Sequence, residues 1–415
     1  MKILLTAIGS TGDILPFVAL AEALKKAGHS VKVCSYNVYK SHFDKINIPF
    51  AAVGPALDLD KVGAVRDRLK RLSPFKQLDF LVNDVFLQEG EKFYNDFLVA
   101  SQGYHFGVCH SLDFIGQQVM MENRLPWASV IICPGVIPTA YAAPMHVAKL
   151  GRWGNRLSWK LLGLVKGRVE KKIEDLLFGL NGIRRNINVI GTFSPHLNLV
   201  AASEFMGKTY PDLPNNFTVT GPWWVPENHY QPPGAIETFT SAGKADVVFT
   251  LGSMGRAEGI SKKSLFMVAA QKAGVRAIIQ KSWPGEMPDD LPDDMLIVDY
   301  KMPFHYLFRQ ARVVVHLANS GTSIAACKAG AASVTVPHLV DQRYWAAMLY
   351  EQGVSRRPLP PKKLTPDRLA AEIRAALDDA VMAERAAALR EAMQNENGTA
   401  NAVKAIENFV YSIKE

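Results

Sequence analysis

The sequence predicts an α/β protein built from two doubly wound, Rossmann-like domains, and three observations carry that prediction. Short apolar runs bounded by turn residues recur along the chain with helical patterns between them, as in parallel sheets covered on both faces. This alternation opens twice, at "KILLTAIGSTGD" (2–13) and again at "ADVVFTLGSMG" (245–255). At 415 residues the chain is also too long for one ordinary core.

The elements follow in order. After "KILLTAI" and a Gly/Ser turn, Phe17, Leu20, Ala21 and Leu24 recur at helical spacing, and Gly28 stands where a helix ends; this predicts a helix over 14–27. "SVKVCSY", "HFGVCHS" and "WASVIIC" are the next strands. The second half supplies "RAIIQKS", "MLIVDY", "RVVVHLANSGT" and "ASVTVPH", a helix over about 366–392, and one more helix after a break. The joint lies in "YPDLPNNFTVTGPWWVPENHYQPPG" (210–234), rich in Pro, Asn and Gly. The expected division is 1–209, a linker 210–240, a second domain 241–392, and a terminal helix 393–415 packing back on the first domain. Two such domains would face a cleft at the carboxyl ends of both sheets, where open α/β folds bind ligands.

Composition excludes several classes. Hydrophobic content of 48% with 21% charged residues is that of a soluble globular protein. Cys34, Cys109, Cys133 and Cys327 have neither CxxC nor metal-ligand spacing, which suits a reducing compartment. The opening apolar run is too short for a signal peptide. Residues 125–147 carry no Asp, Glu, Lys or Arg, but Pro126, Pro134, Pro138 and Pro144 exclude a spanning helix. The expected location is cytoplasmic.

Charge is concentrated. Between Lys149 and Arg185 ten basic residues meet three acidic ones, a local +7 out of a total of +8. Leu150, Trp153, Leu157, Leu161 and Leu164 form one helical stripe there. Such a helix either packs its stripe on the first domain or rests on the inner face of an anionic membrane. Nucleic acid is not indicated, because no stacking platform or binding module accompanies the charge.

Three motifs sit at strand ends. In "VVVHLANSGTSIAACKAG" (313–330) a helix begins near Ser320. The amides and hydroxyls of Ser320, Gly321 and Thr322 suit a diphosphate, and His316 adds a hydrogen bond or a positive charge. The plainer reading is an N-cap with a satisfied core histidine. In "VPHLVDQRYWA" (336–346), Asp341 and Gln342 offer acceptors and an amide to sugar hydroxyls, or form a solvated turn with a cap. "FTLGSMG" presents Gly252 and Ser253 as phosphate contacts or as a tight turn.

Together, strand–His–x3–SGT–helix, then AG, then strand–P–x3–DQ–xx–WA, then "PKKLTPDRLAAEIRAAL" resembles the donor-binding half of family 1 glycosyltransferases. The likeness is dense over about 246–378 and returns at the opening "GSTGDILPFVALAEALKKAGHSV", whose pattern is similar to the bacterial antibiotic, sterol and rhamnolipid branch. The resemblance implies the GT-B fold and inverting, metal-independent transfer of a hexose from a nucleotide sugar, with no cofactor. It makes Asp13 the general base, in a loop of Ser10, Thr11 and Gly12 facing a lipophilic acceptor; the alternative for Asp13 is an N-cap. It places His110 where relatives assist the base, the alternative being a hydrogen-bonded strand-end histidine. Trp283, Tyr300 and Met302 would meet the nucleobase. Relatives carry HHGGxGT where this chain has "HLANSGT", so the loop must follow a path less suited to Leu317, Ala318 and Asn319. Ile324 stands where plant members hold ribose with a Glu, which admits deoxythymidine donors such as dTDP-rhamnose beside UDP-glucose. Two other functions compete. A Rossmann oxidoreductase is opposed by the absence of G-x-G-x-x-G. A non-catalytic membrane- or partner-binding protein would leave Asp13 and Asp341 idle.

Overall fold

The computed structural model describes residues 1–57, 65, 68–69, 72, 74–146, 148–184, 186–188, 193–206, 210–224, 230–251, 259–281, 291–298 and 302–413. The chain divides into two units, Met1–Val225 with Asn397–Glu415, and Pro226–Glu396.

The first unit is built on a parallel sheet of seven strands: β1 (Lys2–Thr6), β2 (Ser30–Ser35), β3 (Phe50–Ala52), β4 (Phe106–His110), β5 (Trp127–Ile131), β6 (Leu197–Val200) and β7 (Phe217–Val219). Their order is β3-β2-β1-β4-β5-β6-β7. The chain runs outward from β1 in one direction and then returns to add β4 on its other side. The β1/β4 boundary is therefore the topological switch point, where carboxyl-end loops diverge and leave room for a ligand. β1 and β4 consist almost wholly of buried residues, as strands covered on both faces must.

Strands β3, β6 and β7 carry no signal that sequence periodicity detects. β3 and β7 are three-residue edge strands. In β6, Asn198 interrupts the apolar run, yet it is fully buried because its amide group exchanges hydrogen bonds with the backbone of Ser194. β7 corrects the expected boundary at 209: pairing with β6 draws 210–219 into the first unit. The final helix, Gly398–Ser412, belongs to this unit as well. Ala402, Val403, Ile406 and Val410 join its core, and Asn401 Nδ2 donates to the Thr220 carbonyl at 2.9 Å. His29 meets Glu407 at 3.0 Å and tethers that helix to the β2 end.

The second unit has five parallel strands: β8 (Ala245–Phe249), β9 (Ala277–Gln280), β10 (Met295–Val298), β11 (Ala311–His316) and β12 (Ala332–Thr335). The order β10-β9-β8-β11-β12 places its switch point between β8 and β11. The helix expected over 366–392 is two helices, Pro366–Leu377 and Ala380–Gln394. The break falls at Asp379, whose carboxylate accepts from the Met382 N–H at 2.9 Å and caps the second helix.

Candidate functional site

In the first unit Asp13 and His110 meet at the switch point. His110 is the last residue of β4, while Asp13 lies in the first turn of the helix Thr11–Lys26 that follows β1. That helix starts earlier than its periodicity suggested, and Ser10, not Asp13, is its N-cap. Asp13 reaches back instead: its Oδ2 accepts from the Ser10 N–H at 2.8 Å and from the Ser10 hydroxyl at 2.9 Å. Gly9 permits this. Its φ of +143° disfavours any side chain, and a Cβ there would sit 2.5 Å from Asp13 Oδ2. Ser10 and Gly12 are exposed and Thr11 is half-buried.

With Oδ2 so occupied, Asp13 Oδ1 faces His110 Nε2 at 3.6 Å. The Leu112 N–H donates to His110 Nδ1 at 3.1 Å, so in the neutral ring the proton sits on Nε2, toward Asp13. The Asp13 side chain is 32% exposed and His110 only 3%, so of the two only the carboxylate is within reach of solvent. Burial works to raise the Asp13 carboxyl, but the His110 ring and the Ser10 donors outweigh it and hold it below the ordinary carboxylate value. Asp13 is therefore ionised at neutral pH and ready to accept a proton.

Asp113, three residues beyond His110, had no place in the sequence reading. It is buried, and its Oδ1 accepts from the Gly116 N–H at 2.9 Å, capping the helix Phe114–Glu122. Burial pushes its carboxyl up to about 6, against the opposing pull of the Thr6 hydroxyl, the Gly116 amide and His110. The only sequence signal was an N-cap pattern, "HSLDF", which does not reveal depth.

In the second unit the loop after β11 leads into the helix Ser320–Ala329. Its first-turn amides, at Ser320, Gly321 and Thr322, have no partner within the helix by its geometry. Asn319, the N-cap, makes no side-chain cap; its Oδ1 accepts from Gln342 Nε2 at 2.7 Å. Ser320 is half-buried, Gly321 exposed and Thr322 buried. The amides thus form an anion-ready turn at the β8/β11 switch point.

His316 is fully buried at the end of β11. Its Nδ1 lies 3.1 Å from the Thr322 hydroxyl and accepts from the Ala318 N–H at 3.2 Å, and its Nε2 lies 3.1 Å from the Ser333 hydroxyl. Burial lowers its pKa to about 3. The positive charge anticipated for it is therefore absent, because both nitrogens are spent inside and the imidazole is neutral. What it supplies is the loop's shape. Ala318 adopts φ +59°, a left-handed path that favours glycine, and its bond to His316 holds it there.

Gln342 is also fully buried. Its Oε1 accepts from the His338 and Leu339 amides at 2.7 and 3.1 Å, so its amide group bridges two helix starts rather than reaching into solvent toward a sugar. Asp341 stands half-buried in the first turn of the helix Val340–Glu351. Met302 is buried, and its carbonyl accepts from Gln280 Nε2 at 2.9 Å, so its side chain does not line an open base pocket. Gly252, Ser253, Trp283 and Tyr300 lie outside the described residues. Among the described residues no helix is long and apolar enough to cross a membrane.

Two parallel sheets with helices, each carrying loops at a carboxyl-end switch point, are the architecture of the GT-B fold. The sequence pattern of the glycosyltransferase family 28 N-terminal domain matches residues 3–105, and that of the erythromycin biosynthesis protein CIII-like C-terminal domain matches 273–409. The chain is 27% identical to O-mycaminosyltylonolide 6-deoxyallosyltransferase of Streptomyces fradiae, over 99% of this chain and 97% of that protein. It is 24% identical to sterol 3-beta-glucosyltransferase UGT80A2 of Arabidopsis thaliana, over 100% of this chain and 66% of that one. The Streptomyces sp. SF2575 glycosyltransferase SsfS6, solved in complex with thymidine diphosphate, superposes with a TM-score of 0.64 at 17% identity, covering 98% of this chain and 99% of that one. The chain is a glycosyltransferase, similar over its whole length to antibiotic and sterol enzymes of family 1.

Proposed function

We propose that the enzyme moves a hexose from a nucleoside diphosphate sugar to a hydroxyl of a lipophilic acceptor, with inversion at the anomeric carbon and without a metal ion. The observation that carries this reading is the half-buried, ionised Asp13 carboxylate held by Ser10 and faced by the buried His110. The acceptor oxygen forms a bond to the anomeric carbon while the bond to the diphosphate oxygen breaks. The acceptor proton passes to Asp13 Oδ1, and the nucleoside diphosphate departs with the bonding electrons. The Ser320–Thr322 amides receive the charge that develops on the diphosphate, at the end of the helix suited to an anion. His110 acts by orienting Asp13 and His316 by shaping the phosphate turn.

Ile324, buried in the phosphate-turn helix, offers no acceptor to ribose hydroxyls, and a structural neighbour binds thymidine diphosphate; both favour a deoxythymidine donor over strict use of uridine. The tylonolide- and sterol-directed names of the two relatives favour a lipophilic acceptor. Such acceptors partition into membranes, and the reading includes peripheral contact of segment 149–185 with one.

The test is thermal shift with UDP, dTDP and their sugars in EDTA, followed by transfer assays with Asp13→Asn. We expect stabilisation by one nucleoside diphosphate without metal, and a kcat loss of about 10²–10⁴-fold in the variant at unchanged donor binding. Full activity in Asp13→Asn would remove the base assignment, and an α-to-α product configuration by NMR would overturn inversion.

A further inference from the structure

The helix Gly151–Asn181 is one continuous element with two unlike halves. Its C-terminal half is anchored: Ile173 and Leu177 are each 2% exposed within the first unit's core, and Leu176 lies against Gly90. Toward its N-terminus the contacts thin out. Asn155 Nδ2 donates to the Ala140 carbonyl at 3.1 Å and Trp159 Nε1 to the Ala142 carbonyl at 2.8 Å. The apolar stripe faces away from the core, with Trp153 78%, Leu164 79%, Leu161 52%, Leu150 48% and Leu157 39% exposed. At 3.6 residues per turn these five side chains fall within an arc of about 80° and span about 20 Å of helix length. A stripe of that size turned to water marks an interaction surface.

Its surroundings say what covers it. No Asp or Glu occurs between Glu122 and Glu170, whereas Lys149, Arg152, Arg156, Lys160, Lys166 and Arg168 all do. Arg156 and Lys160 border the stripe and line a cavity of about 480 Å³ whose apolar wall is Trp153, Leu157 and Trp159. Asp212 also lines it and attracts Arg156, but that carboxylate accepts from the Thr139 hydroxyl at 2.6 Å and the Ala140 N–H at 2.7 Å, and Lys160 stays beside the stripe. A second copy of this face would set cations against cations.

We infer that the Leu150–Leu164 stripe is a docking surface for anionic lipid bilayers, lying in the interface with Trp153 and the leucines among the acyl chains and Arg156 and Lys160 on lipid phosphates. The inference sharpens the peripheral-contact reading but stands on the helix alone, and its test needs no transfer activity.

The experiment is flotation of the full chain with phosphatidylcholine vesicles, with and without phosphatidylglycerol. Wild type should bind the anionic vesicles at least about tenfold better, and added salt should weaken the binding. Trp153→Asp with Leu164→Asp should abolish it, since both sites are exposed and the variant keeps its melting temperature. Val99→Asp, at a 73% exposed position of another helix of the same unit, should bind as wild type. Absence of binding to anionic vesicles, or equal binding by the double variant, would overturn the inference. So would a wild-type dimer in sedimentation velocity that the double variant converts to monomer, because the stripe would then serve a second copy.

Discussion

Asp13 and Asp113 both feel His110, yet their carboxyls move in opposite directions. The difference lies in donors. Asp13 takes the direct pull of the His110 ring and gathers the Ser10 amide and hydroxyl beside an open face, whereas Asp113, 1% exposed, has only the Thr6 hydroxyl and the Gly116 amide as donors against its burial. With its pKa raised to about 6 from a model-peptide value of 3.8, Asp113 holds more proton in the folded than in the unfolded chain across that window. Stability contributed by this group is therefore present at low pH and lost as pH rises through about 6. Asn caps a helix as well as Asp does. Asp113→Asn should accordingly be more stable than wild type by about 1–3 kcal/mol near pH 8 and no more stable near pH 4, as read from urea unfolding at the two pH values.

Among the elements, the short loops after β1 and β11 do the positioning, and each depends on a backbone conformation at one residue. Gly9 makes space for a carboxylate, and Ala318 takes a glycine-like path held by His316. The second loop has a further support in Gln342, which joins the Ser320 helix to the Val340 helix through Asn319. Gln342→Leu keeps the volume but strands the His338 and Leu339 amides and Asn319 Oδ1. The expected cost is about 2–3 kcal/mol of stability, together with a raised KM for the donor and a less affected kcat. Melting temperature and steady-state kinetics measure the two effects, and an unchanged KM would show that the phosphate turn does not depend on this bridge.

For the molecule as a whole, the chain's last segment belongs to its first unit. Ile406 is fully buried and, with Ala402, Val403 and Val410 of the same helix, completes a core otherwise formed before residue 225, and a Cβ at Gly398 would clash with the Pro222 carbonyl. Ile406→Ala should cost about 2–5 kcal/mol. Amide hydrogen exchange should show the loss in β1, β2 and β4 and leave β8, β11 and β12 protected. Uniform loss over both sheets would contradict the division into two units.

The sequence by itself determined the class of fold, because buried parallel strands must be apolar runs and the helices between them must be amphipathic. It also singled out the Ser320 turn by its spacing at a strand end, while Asp13 and His110 were singled out by the resemblance to family 1 glycosyltransferases. Only tertiary structure decided what those residues can do. Burial made His316 neutral, committed Gln342 to backbone amides and placed Met302 inside. Asp113 emerged as a titrating group only through its depth, and β6 and β7 became strands only through their partners. Depth and partnership depend on residues far apart in the chain, and no local pattern encodes them.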